Sequence, residues 1–306
     1  MAGVISTSNH PRALWPGVKG FWGQAYDEHV VEYTDLVDTT TSEKAYEEFV
    51  QSVGFGLAPV KLQGRAAVFD SDTQGRVARF VHVAYALGYI VTHEELKDNL
   101  YMEVSNARAP ANARSFRQTK ERIVAGLYNR AFNVSFPVAD GKPLCAVDHP
   151  RISGGTYSNT LAVPAALSEA ALEDLTIQIA QATDDRGLTI NLMPQSLHIA
   201  SGNMFNATRI MQSVLRSGTP NNDINAVREM GLIPKGVKMN HYLTTPAAWF
   251  LRTNVPTGRG LVLCQREEIS FTQDNDFSTK NALALGYERY SAGVIDPLAL
   301  FGTNGP

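Results

Sequence analysis

The sequence predicts an α+β protein. Three observations point there: strand-like and helix-like stretches mix without regular βαβ alternation, a long extended stretch between residues 57 and 91 breaks at one polar turn cluster, and a sustained helical period follows residue 110. With 306 residues, 44% of them hydrophobic and 19% charged, the chain has the composition of a folded protein of one or two domains. No internal repeat suggests a solenoid.

The first 45 residues carry Pro and Gly breaks and the aromatic residues Trp15, Phe21, Trp22, Tyr26 and Tyr33, without a sustained period of 3.6 or 2. They read as an extended arm with aromatic anchors, covered either by a neighbouring subunit or by the chain's own core. From Leu57 to Phe69 and from Arg76 to Val91 the chain reads as the two arms of a long β-hairpin, joined by the turn residues Asp70 to Gly75. In the second arm Val77, Val81, Val83, Tyr85, Leu87, Tyr89 and Val91 share one face, interrupted by Arg79; Arg76, Ala78, Phe80 and His82 take the other. A two-stranded ribbon is marginal alone in water, so it packs on its own domain or on another subunit.

Thr92 with Glu95 forms a capping box and predicts a helix from near His93. After Pro110 a longer helix is expected, with Phe116, Lys120, Ile123, Leu127 and Ala131 along one stripe. Loop signals follow at Asp140 to Pro143 and at Gly154 and Gly155. Ser168 then caps a third helix that carries Leu172, Leu175 and Ile179 on one face. Gly187 marks a turn, Ser196 to Ala200 a short strand, and Asn203 to Leu215 a helix with Phe205, Ile210, Met211 and Val214 inward. Leu261–Cys264, Glu268–Thr272 and Asn281–Tyr290 are extended.

The charged residues, 27 Lys and Arg against 30 Asp and Glu, give a net charge of −3, so no global basic field attracts nucleic acid and any such contact is local. Cys145 and Cys264 are far apart and form no CxxC pair, which predicts free thiols. No apolar run approaches the roughly 18 residues of a membrane span, and no secretory leader pattern begins the sequence.

The seven histidines are scattered and form no metal-ligand spacing; His93 with Glu94 lacks the second histidine of a zinc-protease helix, because Lys97 stands there. Cys145, Asp148 and His149 are close in sequence, but the segment Pro143 to Pro150 reads as a tight turn, with Asp148 bonding backbone amides and His149 extended before a proline. Phosphate-binding glycine loops and the GxSxG elbow are lacking, and the adjacent pairs Glu94–Glu95, Asp184–Asp185 and Glu267–Glu268 read as solvated faces. The helix bearing Arg108, Arg114, Arg117, Lys120, Arg122 and Arg130 is the one cationic cluster, read as salt-bridged ahead of a DNA contact. No catalytic, cofactor-binding or metal-binding residue is assigned.

The order of elements, an aromatic arm, a long hairpin, a capped helix, a long helix, a compact mixed region and a late long strand, resembles tailed-phage major capsid proteins. GYIVTHEELKDN (88–99), KERIVAGLYNRAF (120–132) and DGKPLCAVDHPRISGGTYSN (140–159) resemble the Mu-like major head subunit family. The resemblance implies the Hong Kong 97-type fold, with an N-terminal arm at 1–41 and an extended loop at 54–90. A peripheral domain would span 42–53, 91–164 and 275–306, with a spine helix near 111–133, and an axial domain 165–274. It implies a non-enzymatic subunit that self-assembles as hexamers and pentamers into an icosahedral shell around double-stranded DNA. Portal, scaffold and decoration proteins are the expected partners, DNA is touched non-specifically, and no membrane is involved. The expected site is the virion capsid, assembled in the bacterial host cytoplasm. Because the arm starts almost at Met1, a separate scaffold protein is expected. Trp15, Phe21, Trp22, Lys61, Arg65, Arg76, Arg79, Arg114 and Arg117 are the expected interface residues. The rival readings are a cellular nanocompartment shell of the same architecture and a soluble hydrolase using residues 145–149.

Overall fold

The computed structural model describes residues 15–97, 101–215 and 223–305. It opens with helix α1, Trp15–Glu28, and the single turn α2, Tyr33–Leu36. This corrects the expectation of an extended arm. Trp22, Ala25 and Tyr26, spaced i, i+3, i+4, are buried against Ala109, Ala113, Phe116 and Phe271, so long-range packing supplies what the glycine-broken local pattern lacked.

Strands β1 (Asp38–Thr41), β2 (Tyr46–Ser52), β3 (Gln74–Val81) and β4 (Val83–Val91) follow. β2 is the antiparallel partner of β3, so Leu57–Phe69 is not the first arm of the hairpin; Pro59 and Gly64 interrupt that stretch, and residues 53–73 form an open loop at the tip. α3 (His93–Lys97) starts where the capping box placed it, with the Glu95 amide donating to Thr92 Oγ1 at 3.3 Å.

α4 spans Tyr101–Asn129, beginning earlier than expected and running through Pro110. Proline removes one helical hydrogen bond, yet Ala109, Ala113 and Phe116 beside it are buried against α1, and that burial offsets the loss. The apolar stripe outlasts the helix, with Ala131 buried in the turn beyond Asn129. The short ribbon β5 (His149–Pro150) with β6 (Thr156–Tyr157) leads to α5 (Glu169–Ala180), whose Ser168 cap accepts from the Ala171 amide and whose Leu172, Leu175 and Ile179 are buried as expected.

The remaining elements are β7 (Pro194–Ile199), α6 (Met204–Gln212), α7 (Ala226–Glu229), β8 (Val237–Met239), β9 (Trp249–Thr253), β10 (Leu261–Asn275), β11 (Ala282–Val294) and β12 (Leu300–Thr303). In α6 the inward residue is Ala207, with Ile210 and Met211 packed at the rim; Phe205 and Val214 point to solvent, contrary to expectation, because the helix stops at Gln212 and turns its smaller face to the core. The two extended stretches 261–264 and 268–272 are one strand, and the break between them is a pair of bulges around Glu267.

Two four-stranded sheets organise the chain. The first has the order β1-β10-β11-β4, with β1 parallel to β10; the second has the order β12-β9-β7-β8. Residues 261–275 therefore belong with the first sheet and 300–303 with the second. Ladder pairing, invisible in local pattern, sets which sheet a strand joins. One apolar core lies between α4, the first sheet and Phe250; a second lies under α5 around Trp249, Leu197 and Phe301; a third joins α1 to α4 and the sheet.

Candidate assembly surface

The β2–β3 ribbon has two unlike faces. Its register sets Tyr46 opposite Val81, Glu48 opposite Arg79 and Val50 opposite Val77, and directly opposed residues share a face. All six point to solvent, with Arg79 stacked 4.0 Å over the Tyr46 ring and 3.6 Å from Glu48. The other face turns inward: Phe49 and Phe80 meet at 5.7 Å, and Ala78 and His82 are buried. The covered side of β3 is thus the Ala78, Phe80, His82 side and not the Val77, Val81 side, and the Phe80 ring lies over Gly293, which has no side chain to obstruct it. In β4 Val91 is buried and Tyr85 and Tyr89 are half-buried, whereas Val83 and Leu87 remain exposed.

His82 marks the break between β3 and β4. Its ring bonds Ser42 Oγ at 2.9 Å and Ser291 Oγ at 3.0 Å, tying the base of the ribbon to β11. Burial, followed by the charges of Arg289 and Arg266, lowers its pKa below the ordinary imidazole value.

At the ribbon's far end, loop 53–73 presents Phe55, Leu57, Val60, Leu62, Val68 and Phe69 to solvent, with Val60 90% and Phe69 92% exposed. An apolar set this contiguous on a folded chain marks an interaction surface. The neck of the loop is closed by Asp72, which accepts from Ser52 Oγ (2.6 Å) and the Gly54 amide (2.8 Å), and by Asp70, which accepts from the Gly56 amide (2.8 Å). These bonds hold both carboxyls below the ordinary carboxylate range. A second apolar tip is Phe277, 99% exposed between β10 and β11.

The expected interface residues divide. Lys61 and Arg65 lie exposed in the loop, with no ion pair among the described residues, and Arg79 is on the open ribbon face. Arg76, half-buried at the loop end of the ribbon, lines a cleft with Arg151, Asp185 and Asp296. Trp22 is 4% exposed, stacked between Tyr26 and Phe271, with its indole N–H donating to Asn112 Oδ1 at 2.9 Å; it is used within its own chain. The same holds for Arg117, which lies 3.7 Å over the Tyr26 ring and donates to the Tyr26 carbonyl. Arg114 is exposed. Trp15 and Phe21 are in α1, and their side chains lie outside the described residues. Sequence reading missed Tyr46 and Val50, whose only signal was the alternation within YEEFVQS, and treated Asp185 as solvated although it is buried.

Three of the six cationic residues of the helix form ion pairs among the described residues. Arg108 meets Glu95 at 3.0 Å, Arg117 meets Asp27 at 3.5 Å, and buried Lys120 meets Glu288 at 2.6 Å. Arg130 caps the Phe136 ring at 4.5 Å.

Residues 145–149 are arranged for structure. Cys145 is buried and its thiol pKa is pushed up by burial, which disfavours the nucleophilic thiolate. His149 is fully buried, with Nδ1 2.5 Å from Asp140 and Nε2 3.0 Å from Asn159 Oδ1; both ring nitrogens face acceptors, so neither is a base for the thiol. Asp148 pairs with Lys142 rather than with backbone amides, because the latter role falls to Asp140, which accepts from the Lys142 amide. Both cysteines are free. His198 is also buried, which lowers its pKa to about 3 and keeps it neutral in the core. Among the described residues no cluster of His, Cys, Asp and Glu is arranged to hold a metal ion, and no helix is long and apolar enough to cross a membrane.

Known structures share this architecture. The chain superposes on the capsid of a native GTA particle with a TM-score of 0.53 at 13% identity, covering 88% of each chain. For the capsid of Myoviridae phage XM1 the TM-score is 0.51 at 12% identity over 100% of both chains. For Mycobacterium phage Patience it is 0.51 at 12% identity over 99% of this chain and 89% of the other. At such identities the likeness speaks to fold, and the fold is the Hong Kong 97-type capsid fold. No curated protein matches the sequence. The family described as "Phage capsid protein" matches residues 77–302, from the middle of β3 to β12. A two-sheet body of this fold and a family match that spans residues 77–302 place this chain in the phage capsid protein family.

Proposed function

We propose that the chain is the major head subunit of a tailed bacteriophage, forming hexamers and pentamers that close into an icosahedral shell around double-stranded DNA. The observation that carries this reading is the apolar loop 53–73 with the open ribbon face beside it, which the chain itself leaves uncovered. Covering such a surface with a second copy contributes roughly 25 cal/mol per Å² of apolar area, and repeated contacts sum to a stable container. The first sheet with α4 serves as the peripheral region and the second sheet with α5 to α7 as the axial region, while α1 is the folded end of the N-terminal arm. Lys61, Arg65 and Arg79 are the cationic members of the joining surface. The subunit acts by assembly without catalysis. Portal, scaffold and decoration proteins are its partners in the host cytoplasm, and exposed arginines such as Arg114 touch packaged DNA non-specifically.

The test is negative-stain microscopy with size-exclusion chromatography on the wild type and on a variant with residues 57–69 replaced by a short Gly-Ser linker. This replacement spares β3, whose Ala78 packs inward. Shells or rings from the wild type, and folded but unassembled protein from the variant, are expected. Wild-type-sized shells from the variant would overturn the role of the loop. A wild type that stays a small species at every salt and protein concentration would overturn the shell reading itself.

A further inference from the structure

The turn between residues 183 and 189, which belongs to the unit built on the second sheet, grips the neck of loop 53–73. Its shape is preset. Asp184 Oδ1 accepts from the Arg186 amide (2.9 Å) and the Leu188 amide (2.8 Å), Thr183 bridges Thr189, and Gly187 takes φ +79°, a region in which a side chain is strained. From this frame two consecutive side chains reach the loop base. Asp185 Oδ2 accepts from Gln51 Nε2 at 2.6 Å. Arg186 approaches Asp70 at 3.2 Å and donates from Nη2 to the Ser71 carbonyl at 2.7 Å.

The grip is braced from behind. The Ile152 amide donates to Asp185 Oδ1 at 3.3 Å, Ser153 Oγ donates to the Asp185 carbonyl, and Arg151 donates to Thr183 Oγ1. Asp70 is also the residue that accepts the Gly56 amide, so one carboxylate both closes the neck and receives Arg186. Charge-assisted bonds of this kind are directional as well as attractive. Among the described residues nothing else ties the loop to the second unit as directly: the ribbon's inward face packs on β11 of the first sheet, while Asp185 and Arg186 reach it from the other unit.

We infer that Asp185 and Arg186 are positioning residues that set the direction in which loop 53–73 projects, so that the angle between neighbouring subunits, and with it shell curvature, depends on this clasp. The inference rests on the shell reading and adds to it a specific determinant of geometry. A loop joined only at β2 and β3 swings about the ribbon end; a loop also held at Gln51, Asp70 and Ser71 has one direction.

The test uses the full chain with Arg186→Ala, Arg186→Lys and Asp185→Asn. Residue-resolved amide exchange is expected to quicken about tenfold at Gly54 and Gly56 in Arg186→Ala, a loss the size of one charge-assisted bond, with α5 amides unchanged. Particles from that variant are expected to lose their single wild-type diameter, and Arg186→Lys to restore part of the protection without the bond to Ser71. Unchanged exchange at Gly54 and Gly56 would overturn the clasp whether or not shells form. Faster exchange with shells of wild-type diameter would overturn its control of curvature. Absence of shells from the wild type counts against the shell reading alone, since the exchange arm still decides the clasp.

Discussion

Lys120 of α4 and Glu288 of β11 face each other at 2.6 Å, with side chains 5% and 0% exposed. The ammonium also reaches Gln265 Oε1 at 3.3 Å and the Tyr26 hydroxyl at 3.5 Å, so one cation joins the long helix, two strands of the first sheet and α1. The carboxylate gains charge compensation more than well-aligned hydrogen bonds, since neither of its oxygens meets hydrogen-bond geometry. Burial raises the Glu288 pKa and Lys120 opposes that rise.

Lys120→Met leaves the carboxylate buried and unpaired, and a loss of about 3–5 kcal/mol is expected in urea denaturation. A carboxyl whose folded pKa is raised holds its proton in the native state, so stability falls as pH climbs from the ordinary carboxyl value to the folded one. The variant is therefore expected to be less impaired at pH 5 than at pH 8, and Lys120→Met with Glu288→Gln to recover most of the loss. Equal impairment at both values would show that the buried charge is not the cause.

Glu121 is fully buried; its Oε1 accepts from the Glu32 amide at 2.8 Å, and its Oε2 has no hydrogen-bond partner among the described residues. Burial first, and the nearby Glu32 carboxylate as well, raise its pKa. Glu121→Gln keeps the acceptor and removes the charge, and a gain of about 1 kcal/mol is expected at pH 8, the scale of one unsatisfied buried polar group. By the same sign the gain shrinks as pH falls and is smallest below the ordinary carboxyl value, where the wild-type side chain is neutral in both states. Thermal melts at the two pH values check it; a gain larger at low pH would refute the assignment.

Gly293 lies under Phe80, where a Cβ would come within 2.1 Å of the ring. Gly293→Ala is expected to cost roughly 1–3 kcal/mol by overpacking and to lift the ribbon from β11, and Phe80→Leu in the same chain to relieve part of that cost. Amide exchange at Ala78 and Phe80 measures the lift directly.

Asn159 is a buried junction. Its Nδ2 donates to the carbonyls of Leu144 (2.7 Å), Leu300 (3.0 Å) and Pro297 (3.1 Å), while Oδ1 accepts from the Ala146 amide (2.9 Å) and faces His149 (3.0 Å). Asn159→Ala is expected to cost about 2–4 kcal/mol, because buried carbonyls and an amide lose their partners together. Asn159→Asp is expected to be worse, since a carboxylate would face those carbonyls with no donor. A denaturation midpoint for Asn159→Asp equal to that of the wild type would exclude this role.

Features that depend on neighbours a few residues apart are legible in the amino-acid sequence. Thr92 with Glu95 and Ser168 announce their helices, because a cap is a bond between residues three apart. The stripe of Leu172, Leu175 and Ile179 announces the buried side of α5 for the same reason. Solvent exposure is legible only in part. Lys61, Arg65 and Arg79 lie exposed on the loop and the open ribbon face, whereas Trp22 and Arg117 are held within the fold by Phe271 and Tyr26, partners whose proximity no local pattern records.

By itself the sequence determined the α+β class and the capped helices, from composition and local spacing, and carried the likeness to capsid subunits as a resemblance in the order of elements and in the strings at 88–99, 120–132 and 140–159. The tertiary structure alone decided that β2 and not residues 57–69 pairs with β3, that β10 joins the first sheet, that Ala78 and Phe80 face inward while Val77 and Val81 face out, and that Arg186 grips the loop. The physical reason is that periodicity tells which side chains share a face, while the choice of which face is covered depends on what the rest of the chain brings against it. In β3 the deciding partner is Gly293, whose missing side chain leaves room for Phe80.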